Sequence, residues 1–393
     1  MKRLLLAGCI SVYLFGAQAS ASVALTTTQY EQLNRLGDAL SQGDQPQTLE
    51  LGKQLYQQPT GTAEQQAFIR AFAARVLTQL HLQQDKPELA AEVLVGALRD
   101  ETLLDHSTLQ AMRWLLMQVR INQGNHQAAL VNLERWWQHE ETPSADAHYL
   151  RAALLAQLQR WADAEPWLVI ALQQQTPDSW LNLGVAIYQR QEKWPQAAAL
   201  QQQRVRQTPE NASLWSQLAQ LQQLAGQDKD VLVTLELAQR RGYLSETEQQ
   251  QLGLRLLNAE QPLRAARVFE LLLKTTPDIE LMRYAARAWM QTSQPEATAD
   301  ALLRLAQASN DQDDWQRLGD WHYSQGNWQQ AVDAWMVFHE ALSPRDQASL
   351  TLLIANAYIE LRDYEQARLL LESLLATSEE MAARQWLNYI NAL

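Results

Sequence analysis

Cysteine is almost absent from this chain of 393 residues, and the single one, Cys9, lies at the extreme N-terminus. No C-x-x-C zinc, redox or haem-attachment motif can therefore be written, and no disulfide framework. Glycine (14) and proline (12) are too sparse for a collagen-like or Pro/Gly-rich disordered chain. Positive charge is in deficit, with 32 Lys+Arg against 44 Asp+Glu and a formal charge of -12, which speaks against a phosphate backbone as partner and for a cationic protein segment. β-branched residues are few, which disfavours a sheet protein. No Gly-rich phosphate loop, G-x-S-x-G elbow, H-E-x-x-H or EF-hand pattern occurs. What fills the chain instead is Ala, Leu and Gln, residues that favour helix, together with 14 Trp.

The first residues, Met1-Lys2-Arg3 and then an apolar run from Leu4 to Ala17, end in Ala17-Gln18-Ala19 and Ala19-Ser20-Ala21. A basic start, a short apolar stretch and small residues at a cleavage site form a secretory signal peptide over 1–21. The run is too short to span a bilayer. Leu6-Ala7-Gly8-Cys9 has the letters of a lipobox, but the apolar run continues past Cys9 through Val12 and Phe15, the reverse of a lipobox order. Cleavage at Ala19 or Ala21 leaves no cysteine, no transmembrane helix in the mature chain, and, without Lys2 and Arg3, two more units of negative charge. The expected location is the periplasm.

The rest of the chain repeats. The clearest unit runs Trp315, Leu318, Gly319, Tyr323, Gly326, Trp328, Ala331, Trp335 and Pro344; the same order recurs as Trp180, Leu183, Gly184, Tyr188, Trp194, Ala197 and Pro209. Apolar residues at helical spacing, a break at Gly326-Asn327, and a second apolar face describe a helix hairpin. Weaker copies extend both ways, including Tyr284, Ala285, Ala288 and Ala297, and give about ten hairpins over 22–377 with a capping helix over 378–393. Small residues such as Gly184, Gly319, Ala197 and Ala331 let helices approach, and Trp180, Trp335 and Phe269 fill the space beside them. Pro46, Pro87, Pro195, Pro262 and Pro295 fall where second helices start, a position that tolerates a missing N–H. Pro59, Pro143, Pro177, Pro209, Pro277 and Pro344 fall between hairpins, and Pro166 is the misfit, expected to kink its helix. Ser107 with Gln110 and Ser245 with Glu248 are expected capping boxes.

These letters resemble the tetratricopeptide repeat (TPR), a helix-turn-helix unit of about 34 residues. The resemblance implies an all-α superhelical solenoid whose first helices line a groove for a peptide or protein segment. Gln261-Pro262-Leu263-Arg264-Ala265-Ala266-Arg267-Val268 and Ala383-Arg384-Gln385-Trp386-Leu387-Asn388-Tyr389 are similar to TPR proteins of the Gram-negative periplasm encoded beside TonB, ExbB and ExbD systems. Carried onto this chain, the family's groove positions are Tyr149 and Ala153, Leu181, Val185 and Tyr188, Gln220, Leu254 and Leu257, Met282 and Trp289, then Gln316, Asp320 and Tyr323. The Lys, Arg and Asn that hold chaperone tails are absent from these positions.

Chemistry elsewhere is thin. His81 and Asp85 have ligand spacing but read as a solvated loop pair. Asp311, Asp313 and Asp314 precede Trp315 and read as a helix start rather than a Ca²⁺ loop. Trp136-Trp137 reads as core before sugar platform. No catalytic residue, cofactor or metal site is expected. The function implied is a non-enzymatic interaction scaffold, accessory to a TonB-dependent uptake system with a TonB- or ExbD-type periplasmic domain as partner. A scaffold for envelope polysaccharide or peptidoglycan assembly is the alternative, and an enzyme with an unrecognised site the third.

Overall fold

A computed structural model describes residues 23–392. The expected signal peptide and Cys9 lie outside the described residues. Twenty-one α-helices and no strand occur among the described residues, and they pair as ten antiparallel hairpins followed by a final helix. The chain divides into two compact units, one ending at Pro209 and one beginning at Glu210.

The first unit holds α1 (Thr27–Ser41) and α2 (Gln45–Gln57), α3 (Ala63–Gln83) and α4 (Pro87–Ala97), α5 (His106–Asn122) and α6 (His126–Trp137), α7 (Ala145–Gln157) and α8 (Trp161–Gln174), α9 (Asp178–Arg190) and α10 (Trp194–Gln207). The second holds α11 (Ala212–Leu224) and α12 (Asp228–Arg240), α13 (Glu246–Asn258) and α14 (Pro262–Leu273), α15 (Ile279–Met290) and α16 (Pro295–Ser309), α17 (Gln312–Ser324) and α18 (Trp328–Met336), α19 (Pro344–Glu360) and α20 (Tyr364–Ser373), then α21 (Glu380–Ala392).

One packing register organises all ten hairpins. The fourth residue of each second helix is Thr48, Ala90, Ala129, Ala164, Ala197, Val231, Ala265, Thr298, Ala331 or Ala367, and every one is buried. A small side chain there lets the second helix lie close against the first. The expected position in α16 was Ala297; the buried one is Thr298, whose hydroxyl donates to the carbonyls of Gln294 and Trp289 and so brings no unpaired polar group into the contact. The facing small residue is a glycine where the second helix is bulky. A Cβ on Gly319 would sit 2.3 Å from Trp335 Cδ1, and one on Gly253 would sit 2.5 Å from Phe269 Cζ.

The turns within hairpins are equally regular. In nine of them the chain closes by a bond from a backbone N–H to the carbonyl five residues back, as from Asp44 to Ala39, Lys86 to His81 and Asn327 to His322. This Schellman closure needs one left-handed residue. Gly43, Gly124, Gly226 and Gly326 supply it without strain, whereas Asp85, Gln159, Glu192, Glu260 and Arg362 adopt it at some cost. The α15–α16 turn is one residue longer and has no such residue.

The prolines stand where expected, with Pro46, Pro87, Pro195, Pro262 and Pro295 at the first or second position of their helices. Pro166 lies inside α8, which continues through it as one helix. Ser245 and Glu248 form their capping box, and Thr26 with Gln29 and Thr62 with Gln65 form two more. Ser107 does not cap: Asp105 takes that role, accepting from Thr108 N–H, because a carboxylate two residues earlier reaches the free donors first. His81 is not in a solvated loop either. It is buried in the last turn of α3, while only Asp85 enters the turn. Asp311 caps α17 as expected, accepting from Asp313 N–H, and Asp314 is buried between Arg283 and Arg317.

Candidate functional site

First helices of successive hairpins touch one another within each unit: α1 with α3, α3 with α5 and α7 with α9 in the first, α13 with α15 in the second. Successive second helices are held apart by the first helices between them. The first helices therefore form the inner row of each unit, and the side chains they leave unpacked share one face.

In the second unit this face carries most of the expected residues. Leu254, Leu257, Met282, Trp289 and Tyr323 are half-buried, and Gln220, Gln316 and Asp320 are exposed. Met282 and Trp289 pack on the core of Ala286, Leu302 and Leu305. Trp289 Nε1 donates to Glu270 Oε1 at 3.0 Å, and Glu270 also accepts from Arg304. Burial pushes the Glu270 carboxyl up, but the hydrogen bonds from Arg304 and Trp289, with the charges of Arg304 and Lys274, outweigh it and hold the group below the usual carboxylate range. Tyr323 lies edge-on to Trp328 and tilted against Trp335. Asp320 Oδ1 accepts from Trp335 Nε1 at 3.1 Å. Desolvation raises the Asp320 carboxyl, the tryptophan hydrogen bond only partly offsetting it, and no described basic residue forms an ion pair with it.

In the first unit the expectation needs correction. Tyr149 is half-buried and stacks on Trp180 with ring centroids 4.7 Å apart, but Leu181, Val185 and Tyr188 are buried at 0%, 7% and 9% exposure. The open side of α9 carries Asn182 and Gln189 instead. Gly184 is the seventh residue of α9 whereas Gly319 is the eighth of α17, so lettering aligned on glycine turns α9 by one residue, about 100°.

Four tryptophans of the first unit, Trp136 and Trp137 among them, are spent on one another. Trp114 packs on Trp136, Trp136 meets Trp137, and Trp137 meets Trp167 edge-on. Arg151 lies over Trp167 at 4.0 Å and Trp137 at 5.1 Å, and His148 stacks against Trp167. Burial, then the charge of Arg151, lowers the His148 pKa. Ring faces covered in this way leave no platform for a sugar. Among the described residues no group of three or more His, Cys, Asp or Glu is placed to hold a metal ion. No described helix is long and apolar enough to cross a membrane. The residue of this face that sequence reasoning passed over is Arg75 of α3; its place in the helix register was the available signal.

No family profile matches the sequence, and no curated protein does. Solved structures do align. A tetratricopeptide repeat protein from Parabacteroides merdae shares 14% identity, covering 67% of this chain and 100% of that one with a TM-score of 0.40. The C-terminal part of a TPR repeat-containing protein from Cytophaga hutchinsonii shares 13% identity over 68% and 97% of the two chains, TM-score 0.31. A chain of the APC/C hetero-tetramer Cut9-Hcn1 shares 13% over 93% and 90%, TM-score 0.24. Superpositions this loose carry no argument of their own; the buried Ala, Thr or Val at one place in ten hairpins does. The fold is TPR-like. The inner row follows from the contacts between first helices, and the likeness says nothing about a partner.

Proposed function

We propose that the protein is a non-enzymatic scaffold that holds a segment of another protein against its first-helix faces. The observation that carries this reading is that the first helices α13, α15 and α17 carry half-buried Leu254, Met282, Trp289 and Tyr323 together with exposed Gln316 and Asp320. Half-buried apolar and aromatic side chains gain by being covered, and neighbouring polar groups fix the register of what covers them. Most of the acidic excess of the chain falls in the second unit, which favours a segment bearing Lys or Arg there.

We further propose that the protein works in the periplasm as an accessory of a TonB-dependent uptake system. The signal-peptide pattern, the likeness of 261–268 and 383–389 to such proteins, and the acidic charge support this. A photo-crosslinking residue at Gln316, with Gln329 on the exposed side of α18 as control, tests both levels. Crosslinking of one periplasmic protein from Gln316 alone supports the scaffold, and recovery of TonB or ExbD supports the finer role. Equal crosslinking from Gln329 would remove the first-helix face as the site.

A further inference from the structure

α3 packs against α2 and α4, with α1 on one flank and α5 on the other. Its deeply buried residues Ala73, Ala74, Leu77 and Leu80 serve those contacts. Phe72, Arg75, Gln79 and Leu82, spaced three, four and three apart, form a separate half-buried stripe along the helix. Phe72 adjoins the cluster built with Leu33 and Leu36, and Leu82 the cluster built with Leu94 and Leu116.

Arg75 is the charged member of that stripe. It forms no hydrogen bond, ion pair or ring contact with any described residue. Arginines on the same helix and on the next first helix are treated differently: Arg70 of α3 pairs with Asp100, and Arg113 of α5 with Glu101. Burial depresses the Arg75 pKa, and no nearby charge opposes the effect. A guanidinium taken partly out of water without a counter-charge is costly, and a costly arrangement on a surface facing a bound chain points to a ligand that completes it.

We propose that Arg75 anchors a carboxylate-binding site on the first-helix face of the first unit, taking the Asp or Glu side chain of an otherwise apolar partner segment. The planar guanidinium fork matches a carboxylate with two parallel hydrogen bonds. One cation without a second beside it suits a monoanion better than a phosphate dianion. Phe72 and Leu82 on either side would cover apolar residues flanking the acid and keep water from the pair, strengthening it. The site rests on the reading that first-helix faces hold a chain segment, and it gives the first unit a different chemical preference from the second.

The test is selection of a random 12-residue peptide library, displayed with its C-terminus fused so that only side-chain carboxylates are offered, on the full chain and on Arg75→Gln. The expected result is a class of peptides with one Asp or Glu between apolar residues. A synthetic member should bind Arg75→Gln at least tenfold more weakly, its Glu→Gln analogue should bind both proteins equally weakly, and Arg75→Lys should recover part of the loss. The melting temperature of Arg75→Gln should equal or exceed that of the parent, because an uncompensated cation has been removed. Peptides that bind both proteins alike would overturn the Arg75 site while leaving the scaffold reading in place; a melting temperature that falls would show a structural arginine. No enrichment on either protein would remove both readings.

Discussion

The contact between Gly319 and Trp335 gives the sharpest test of the packing register. A methyl group at position 319 would lie 2.3 Å from both Cδ1 and Nε1 of Trp335, and Trp335 is 1% exposed, so the indole has nowhere to swing. Overfilling of this kind costs about 1–3 kcal/mol. Displacing the indole also strains its hydrogen bond to Asp320, worth about 1 kcal/mol. Against these stands a gain of about 1 kcal/mol from replacing glycine by alanine within a helix. The net expectation for Gly319→Ala is a loss of about 1–3 kcal/mol, or roughly 2–10 °C in melting temperature for a unit of this size. Circular dichroism at the helix band, followed on heating, measures it. In a Trp335→Leu background the clash is gone, and the same Gly319→Ala change should become stabilising by about 1 kcal/mol. The change of sign is the diagnostic. A Gly319→Ala protein that melts higher than its parent would refute the close approach and with it the register.

Further outcomes follow from the turns and from the carboxylates of Glu270 and Asp320. Gly226→Ala should lower the melting temperature, at a cost of about 1–2 kcal/mol for a left-handed alanine, whereas Arg362→Gly should leave it unchanged or raise it; thermal scans of the two variants check the pair. Glu270→Gln should destabilise at neutral pH. Because the folded pKa of Glu270 lies below its unfolded value, the contribution is present above the unfolded pKa, near pH 4, and lost as pH falls through the folded one, so melting curves of parent and variant should converge in acid. Asp320 has the opposite sign. Its raised pKa penalises the folded state as pH rises through the carboxylate range, so Asp320→Asn, which keeps an acceptor for Trp335, should melt higher than the parent at neutral pH and equally at low pH.

The hairpins were legible because close helix contacts require small residues, and because proline is confined to positions where its missing N–H does no harm. Those constraints act locally and leave marks such as Ala331, Gly319 and Pro262. The side of α9 that faces outward was not legible: Leu181 and Asn182 differ by one step along the chain, and helix length before the glycine, rather than the glycine itself, sets the rotation. Ser107 failed as a cap because Asp105 competes for the same free N–H groups, a contest decided by where the backbone turns. Arg75 left no motif. An arginine declares itself only by what fails to surround it, and that is a property of packing from α1, α2, α4 and α5.

The nine alike turns divide the chain into parts that can and cannot change length. Within these hairpins three residues connect the helices and one must be left-handed, so an added residue breaks the closing hydrogen bond. Between hairpins the connections vary, from two residues before α17 to eight before α5. Insertions, affinity tags, protease sites and new chain ends therefore belong between hairpins, and lineages descended from this sequence should gain and lose residues there while the inner turns keep their count.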